Sequence, residues 1–253
     1  MQMKNVFTRA EQDAQLSIGL ARSNEDAAAA QRLRWRIFAE EQGVDLQSAR
    51  PGMDVDALDE FCDHLIVRQI STGRIVGTCR LLTAENAQRH GGYYSEREFE
   101  IGSLLRSGRR LLEIGRSCVH PEYRNGGTIA LLWSGIAAYQ LQARHDAIIG
   151  CASIPLGGQM SQNAALAHRL AAKGPPAELR AVPRRELPVQ PDDQDSHASA
   201  AIPPLIKGYL RCGAIVCGAP YWDESFNTAD LFMYLSVDRI EARYARHFLG
   251  QVT

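Results

Sequence analysis

The stretch that most constrains this chain is Leu111–Trp133, LLEIGRSCVHPEYRNGGTIALLW. An apolar strand runs into a basic, glycine-containing loop and then directly into an apolar helix. A strand that delivers backbone amides into such a turn at a helix N-terminus makes a cradle for phosphate, because unpaired N–H groups and the positive end of the helix dipole meet there. The strand also carries Glu113 and Arg116, an ionisable pair placed where buried charge is expensive unless it has a task. The stretch therefore predicts a phosphate-bearing ligand, with chemistry at the strand.

Around it the periodicity predicts an alternation of strands and helices. Residues 15–22 alternate Leu16, Ile18 and Leu20 with small or polar residues, as a half-buried strand does. Asn24 is placed to cap a helix that opens with Glu25 and Asp26, carries Leu33, Ile37 and Phe38 on one stripe, and stops at Gly43. Strands at 63–69 and 74–82 flank a turn at Ser71, Thr72 and Gly73. Short helices are expected around Tyr93, Tyr94 and Phe99. After the central strand come a helix from about 127 to 144, a buried strand at 147–154 and a helix at about 161–172. Residues 173–201, rich in proline and charge, read as a surface excursion. A helix at 203–210, strands at 214–217 and 231–236 around the loop PYWDESFNT, and a closing helix at 238–249 complete the chain. The order predicts a single α/β domain over 1–253, with a core of about 14–248 and a mixed sheet.

Composition removes several classes of function. The formal net charge of −1 gives no global case for nucleic acid. The best apolar run, 129–139, falls short of the roughly 20 residues of a membrane span. The opening MQMKNVFTRAEQ lacks the apolar centre of a signal peptide. Six scattered cysteines show neither C-x-x-C nor metal-type spacing, so they read as small hydrophobes in a cytoplasmic protein, and no metal site is expected.

Charged positions are of two kinds. Arg34 and Arg36 bracket Trp35 on the first long helix, where a solvated face is an equally good account. The acidic segment 44–61, with Asp45, Asp54, Asp56, Asp59 and Glu60, is either a gate or a solvated loop. Arg80 alternates in phase with Val76 and Thr78, so it points inward and needs a partner.

Two resemblances rest on these residues. VHPEYRNGG between strand and helix resembles a shortened acyl-donor loop of the GCN5-related N-acyltransferase superfamily. Arg34 and Phe38, Asp56 and Asp59, Arg80 in GTCRLL, Phe99, and Glu113 with Arg116 in LEIGR follow the signature of N-acyl-homoserine-lactone synthases. Later blocks, ALLWSGIAAY, IIGCASIP, IPPLIKGYLRCGA and FNTADLFMYL, instead are similar to L-ornithine N-alpha-acyltransferases. This similarity spans roughly residues 14–248. It implies a mostly antiparallel central sheet flanked by helices. It also implies transfer of a 3-hydroxyacyl chain from the 4'-phosphopantetheine of acyl carrier protein to the α-amino group of L-ornithine, with loose contact at the inner membrane surface. A lactone synthase, another amino-acid acylase and a non-catalytic acyl-binding module are the rival readings.

On that resemblance Glu113 is the general base and Arg116 its catalytic companion, with a bulge permitted by Gly115 bringing both to one side of the strand. Val119 and His120 meet the pantetheine arm, His120 more as a positioning group than a catalyst. Arg124, Asn125, Gly126 and Gly127 hold its single phosphate. Arg34 or Arg80 takes the acceptor carboxylate, and Asp56 or Asp59 its side-chain ammonium. Phe38, Phe99 and Trp133 line the acyl pocket. Arg106, Arg109 and Arg110, with Arg124, offer a basic dock for an acidic carrier.

Overall fold

The computed structural model describes residues 15–189 and 200–239; the expected closing helix lies almost wholly outside them. Strand β1 (Leu16–Leu20) precedes helix α1 (Asn24–Trp35), whose N-cap is Ser23 and not Asn24. The Ser23 hydroxyl accepts from the Asp26 amide, and the Asp26 carboxylate accepts from the Arg22 amide, each at 3.1 Å. One helix-end donor is thereby satisfied, and the reciprocal bond ties down the residue before the cap. The helix widens into a π turn at Arg36–Glu41 and ends at Gly43, whose φ of +72° is the left-handed conformation glycine permits.

Strands β2 (Asp63–Gln69) and β3 (Ile75–Thr83) form the expected hairpin, followed by α2 (Ala84–His90), a two-residue β4 (Phe99–Glu100) and α3 (Gly102–Leu105). The central strand β5 (Leu111–Val119) leads to α4 (Gly126–Ala143), β6 (Ala147–Pro155), α5 (Met160–Ala171), β7 (Val182–Pro183) and α6 (Pro204–Arg211). Strands β8 (Ile215–Val216), β9 (Tyr221–Asp223) and β10 (Thr228–Ser236) finish the described chain. The main sheet runs β1-β2-β3-β5-β6-β10-β8, with β9 also on β10. All of its pairings are antiparallel except β5 with β6.

The alternation along β5 sorts the core. Leu112 and Ile114 join Leu132, Trp133 and Ile136 of α4 on one face, while Leu111 joins Phe99, Ile149 and Phe232 on the other. Each large α4 side chain so buried contributes roughly 1.5–3 kcal/mol. Gly135 lets α4 lie close on the sheet, since a Cβ there would stand 2.6 Å from Ile18 Cγ1. The expected excursion is in part knitted into the second face: Leu179, Ala181 and Leu187 are buried and β7 pairs with β4. Proline and charge set its irregular backbone, but three apolar residues decide where it lies. The six cysteines are all free, and burial pushes the Cys79, Cys118 and Cys217 thiols up to about 12, far from a nucleophile's range.

Candidate active site

The parallel pairing of β5 with β6 covers only Leu111–Glu113 against Ala147–Ile149. Beyond it β5 stays with β3 and β6 with β10, so the two central strands part and leave a wedge between them. Gly150 sits at the crotch. A Cβ there would come within 2.4 Å of the Ile114 carbonyl oxygen, so the close approach at the fork requires glycine.

At the wedge the β3–β5 register slips. Thr78 pairs with Cys118 and Arg80 with Gly115, leaving Arg116 and Ser117 opposite Cys79 alone. This is a β-bulge, and Arg116 holds it with φ +49°. The slip turns Arg116 onto the face of Glu113, so both line one cavity, as the sequence led us to expect.

Glu113 is buried and accepts hydrogen bonds from the Tyr94 amide (2.7 Å), the Ser95 amide (2.8 Å) and the Ser95 hydroxyl. Burial raises its proton affinity, and the bonds from Ser95 and Tyr94 moderate the rise. The carboxylate thus also anchors the turn at Tyr94–Arg97. Arg116 lies with its guanidinium 5.0 Å from the Phe226 ring centre, 5.6 Å from Tyr94 and 5.9 Å from Phe38. Its Nε stands 3.2 Å from Asp54 but makes no hydrogen bond, so this cation keeps donors to spare.

The acceptor-binding set behaves otherwise. Arg34 is fully buried and spends its guanidinium on Asp54 (Nε, 2.8 Å) and on both oxygens of Asp59 (2.9 and 2.8 Å). Arg80 reaches Asp56 at 2.6 Å and Asp59 at 3.4 Å. The arginines hold the Asp59 carboxyl down to about 2 against its burial, and Arg80 likewise lowers Asp56. The expectation that one arginine takes a substrate carboxylate and one of these aspartates an ammonium is therefore replaced: the four satisfy one another, and of them only Arg80 reaches the cavity wall.

Past β5, Asn125 caps α4 by accepting from the Thr128 amide at 3.0 Å. Gly126 and Gly127 follow as the exposed first residues of the helix, their amides directed outward. Arg124 is turned back, donating to the Val119 carbonyl at 2.9 Å and pairing with Glu41. Burial, and then the facing Arg74, lower the proton affinity of His120. Of the expected pocket aromatics, Phe38 lines the cavity. Phe99 is core against Phe232, and Trp133 is core against Tyr209 at 4.6 Å. Both were chosen for apolarity, which serves core and pocket alike.

Unforeseen in the sequence, Glu98, Asp223 and Asp230 converge, one carboxylate oxygen of each lying within 4.8 Å of the others. They are 3 %, 8 % and 4 % exposed, and Asp223 and Asp230 face the wedge. The one available signal was Asp230, a lone charge in the apolar strand TADLFMYL.

Comparison with known proteins decides the family. Residues 33–134 match the acetyltransferase (GNAT) domain family. The chain is 41 % identical over 254 residues to the L-ornithine N(alpha)-acyltransferase of Agrobacterium fabrum, covering 93 % of this chain and 86 % of that protein. It is 40 % identical over 252 residues to that of Rhizobium meliloti, covering 93 % and 84 %. The chain belongs to the L-ornithine N(alpha)-acyltransferase family. As an acyltransferase of this family it shares its fold with solved relatives. FeeM, an N-acyl amino acid synthase from uncultured soil microbes, superposes with a TM-score of 0.54 at 12 % identity, covering 93 % of this chain and 98 % of FeeM. The acyl-homoserine-lactone synthase LasI superposes with a TM-score of 0.51 at 12 % identity, covering 90 % and 94 %. The mostly antiparallel sheet implied by the sequence blocks is the one observed. Among the described residues of this acyltransferase no helix is long and apolar enough to cross a membrane.

Proposed function

We propose that this acyltransferase moves a 3-hydroxyacyl chain from the 4'-phosphopantetheine of acyl carrier protein to the α-amino group of L-ornithine, giving lyso-ornithine lipid. The observation that carries the reading is the fork between β5 and β6 beside Glu113 and the Arg116 bulge. Among the described residues strand β5 has no strand partner there on its β6 side, so its backbone edge offers amides and carbonyls to an extended pantetheine arm. The amides of Gly126 and Gly127, at the positive end of an 18-residue helix, suit the single phosphate of that arm. Arg124, tied to Glu41, sets the loop and leaves the anion to the amides.

The acceptor enters from the other side of the wedge. Its carboxylate meets Arg116, which lines the cavity and whose Nε makes no hydrogen bond. An α-ammonium, with a pKa of about 8, must lose a proton before it attacks. Glu113, its proton affinity raised by burial and its side chain on the cavity wall, takes that proton directly or through a water. The nitrogen then adds to the thioester carbon, the C–S bond breaks, and the thiol leaves with a proton. No acyl-enzyme is needed, in keeping with the inert thiols. Arg106, Arg109 and Arg110 precede β5, whereas the phosphate loop follows it, a separation of about 27 Å for a nine-residue strand. The carrier therefore docks near the start of α4, away from those arginines. Release of an amphiphilic product calls for contact with the inner membrane surface.

The test is to incubate the purified protein with a 3-hydroxyacyl carrier protein, the coenzyme A analogue, L-ornithine, other amino acids and S-adenosylmethionine, and to identify products by mass spectrometry. N-alpha-acylornithine from the carrier-bound donor is expected. A homoserine lactone, or no acylated amino acid, would sink the reading.

A further inference from the structure

Three buried carboxylates on the β6–β10 side of the wedge have no part in the reaction derived above. Asp223 ends β9 opposite Thr228, and Asp230 stands two residues farther along β10 on the same face. Glu98 reaches them from the residue before β4. Asp223 spends one oxygen on the Ser225 and Phe226 amides, and Asp230 one oxygen on the Thr228 hydroxyl. Neither oxygen of Glu98 has a partner in hydrogen-bond geometry, and among the described residues no lysine or arginine forms an ion pair with any of the three. Buried carboxylates without a counter-charge are strongly disfavoured, so this group, two of whose members line the cavity with Glu98 against them, calls for a cation that carries several donors.

Position identifies that cation. Asp230 pairs with Ser153 of β6. Ser153, Asp223 and Asp230 line the same cavity as Arg116 and Ser117, so the cluster faces the bulge across the wedge and is no remote surface feature. An α-amino acid held by its carboxylate at Arg116, with its amine at the fork, directs its side chain over the gap toward Asp223 and Asp230. An ammonium supplies three N–H donors, one for each carboxylate.

We propose that Glu98, Asp223 and Asp230 receive the side-chain ammonium of the acceptor and select a diamino acid over its uncharged analogues, an inference that rests on the acyltransferase reading above. The cluster also sets a pH dependence. Burial, then repulsion from Asp230, raises Glu98 to about 8, although the nearby Cys151 thiol and Tyr94 hydroxyl ease the shift, and burial raises Asp230 to about 6. The groups facing Glu98 are Asp230, Asp223, Tyr94, Tyr221 and Cys151, with Arg116 beyond Tyr94. At low pH protons neutralise the cluster, and as pH rises through these values the ionised carboxylates are left for an ammonium.

The experiment compares L-ornithine with L-norvaline, the same skeleton without the terminal nitrogen, as acceptors from a 3-hydroxyacyl carrier protein. Wild-type protein should prefer ornithine in kcat/KM. Glu98→Gln and Asp230→Asn should each lower that ratio by about tenfold or more, mainly through the KM for ornithine. The wild-type kcat/KM for ornithine should rise between pH 6 and 8 more steeply than that of Glu98→Gln. Thermal unfolding checks both variants, and Asp223→Asn replaces either one that fails to fold. Equal use of the two acceptors by wild type, or a ratio unchanged in folded variants, overturns the proposal while leaving the acyltransferase reading intact. Calcium, magnesium or zinc bound by chelator-treated wild type but not by Asp230→Asn, with the ratio unmoved, overturns it in favour of a metal site. Folded wild type that acylates neither acceptor removes both readings together.

Discussion

Two groups of buried charge flank the same wedge and are built on opposite plans. On the side of α1, Arg34 and Arg80 face Asp54, Asp56 and Asp59 at ion-pair distances, Arg34 through several nitrogens and Arg80 through Nη1 to two carboxylates. On the side of β10, Glu98, Asp223 and Asp230 converge and, among the described residues, none of them pairs with a lysine or arginine. Burial disfavours ionisation in both places. In the first, neighbouring guanidinium groups override it and the Asp59 carboxyl falls to about 2; in the second, repulsion reinforces it and Glu98 climbs to about 8. A self-neutralised network holds a frame, and an unneutralised one waits for a charge brought by something else.

The largest effect should come from breaking the first group. Arg34→Met strips the buried hydrogen bonds from Asp54 and Asp59 and leaves them only the more distant Arg116 and Arg80, which destabilises by roughly 3–5 kcal/mol. Denaturant unfolding checks it, and a loss below about 1 kcal/mol would mean that the network is dispensable. Next in size is the acid limb of the stability curve. Because Asp59 titrates lower folded than unfolded, its stabilisation, of order 2 kcal/mol, is present above pH 4 and lost as pH falls toward 2. Melting of Asp59→Asn over that range should be flatter than wild type.

The second group should show the opposite sign. Glu98 titrates higher folded than unfolded, so stability is fully present below about pH 4.5 and is lost as pH rises through about 8. Glu98→Gln should therefore be stabilised relative to wild type at pH 8 and much less so at pH 5. A variant less stable than wild type at both values would show the carboxylate to be structural. The smallest effect belongs to charges in neither group: breaking the exposed Arg110–Glu85 pair with Glu85→Gln should leave the melting temperature unchanged within error.

Much of the scaffold was readable beforehand because it is locally encoded. The alternation in β1, the Ser71–Gly73 turn between β2 and β3, the mainly apolar runs of β5 and β6, and the left-handed stop at Gly43 each follow from neighbours in the chain. Strands β4, β7 and β9, two or three residues long, were missed because so short a run carries no period. The PYWDESFNT loop hid β9 behind its turn-forming residues. At the site, Glu113 and Arg116 announced themselves as charges inside an apolar strand, and Gly115 made their bulge foreseeable. Phe99 and Trp133 misled, since an aromatic side chain offers the same surface to a core and to a fatty chain.

The sequence determined on its own the order of the long elements, the strand-loop-helix at residues 111–133 and the family, because periodicity, glycine placement and similarity all act over contiguous residues. The fate of each charge was left to the tertiary structure. Whether a carboxylate meets an arginine or another carboxylate depends on contacts of a few ångströms between segments far apart in the chain. Arg34 meets Asp59 across 25 residues through a hydrogen bond, and Glu98 meets Asp230 only because β10 inserts beside β6. Coulomb interaction and desolvation both depend on that distance and burial, neither of which a linear string specifies.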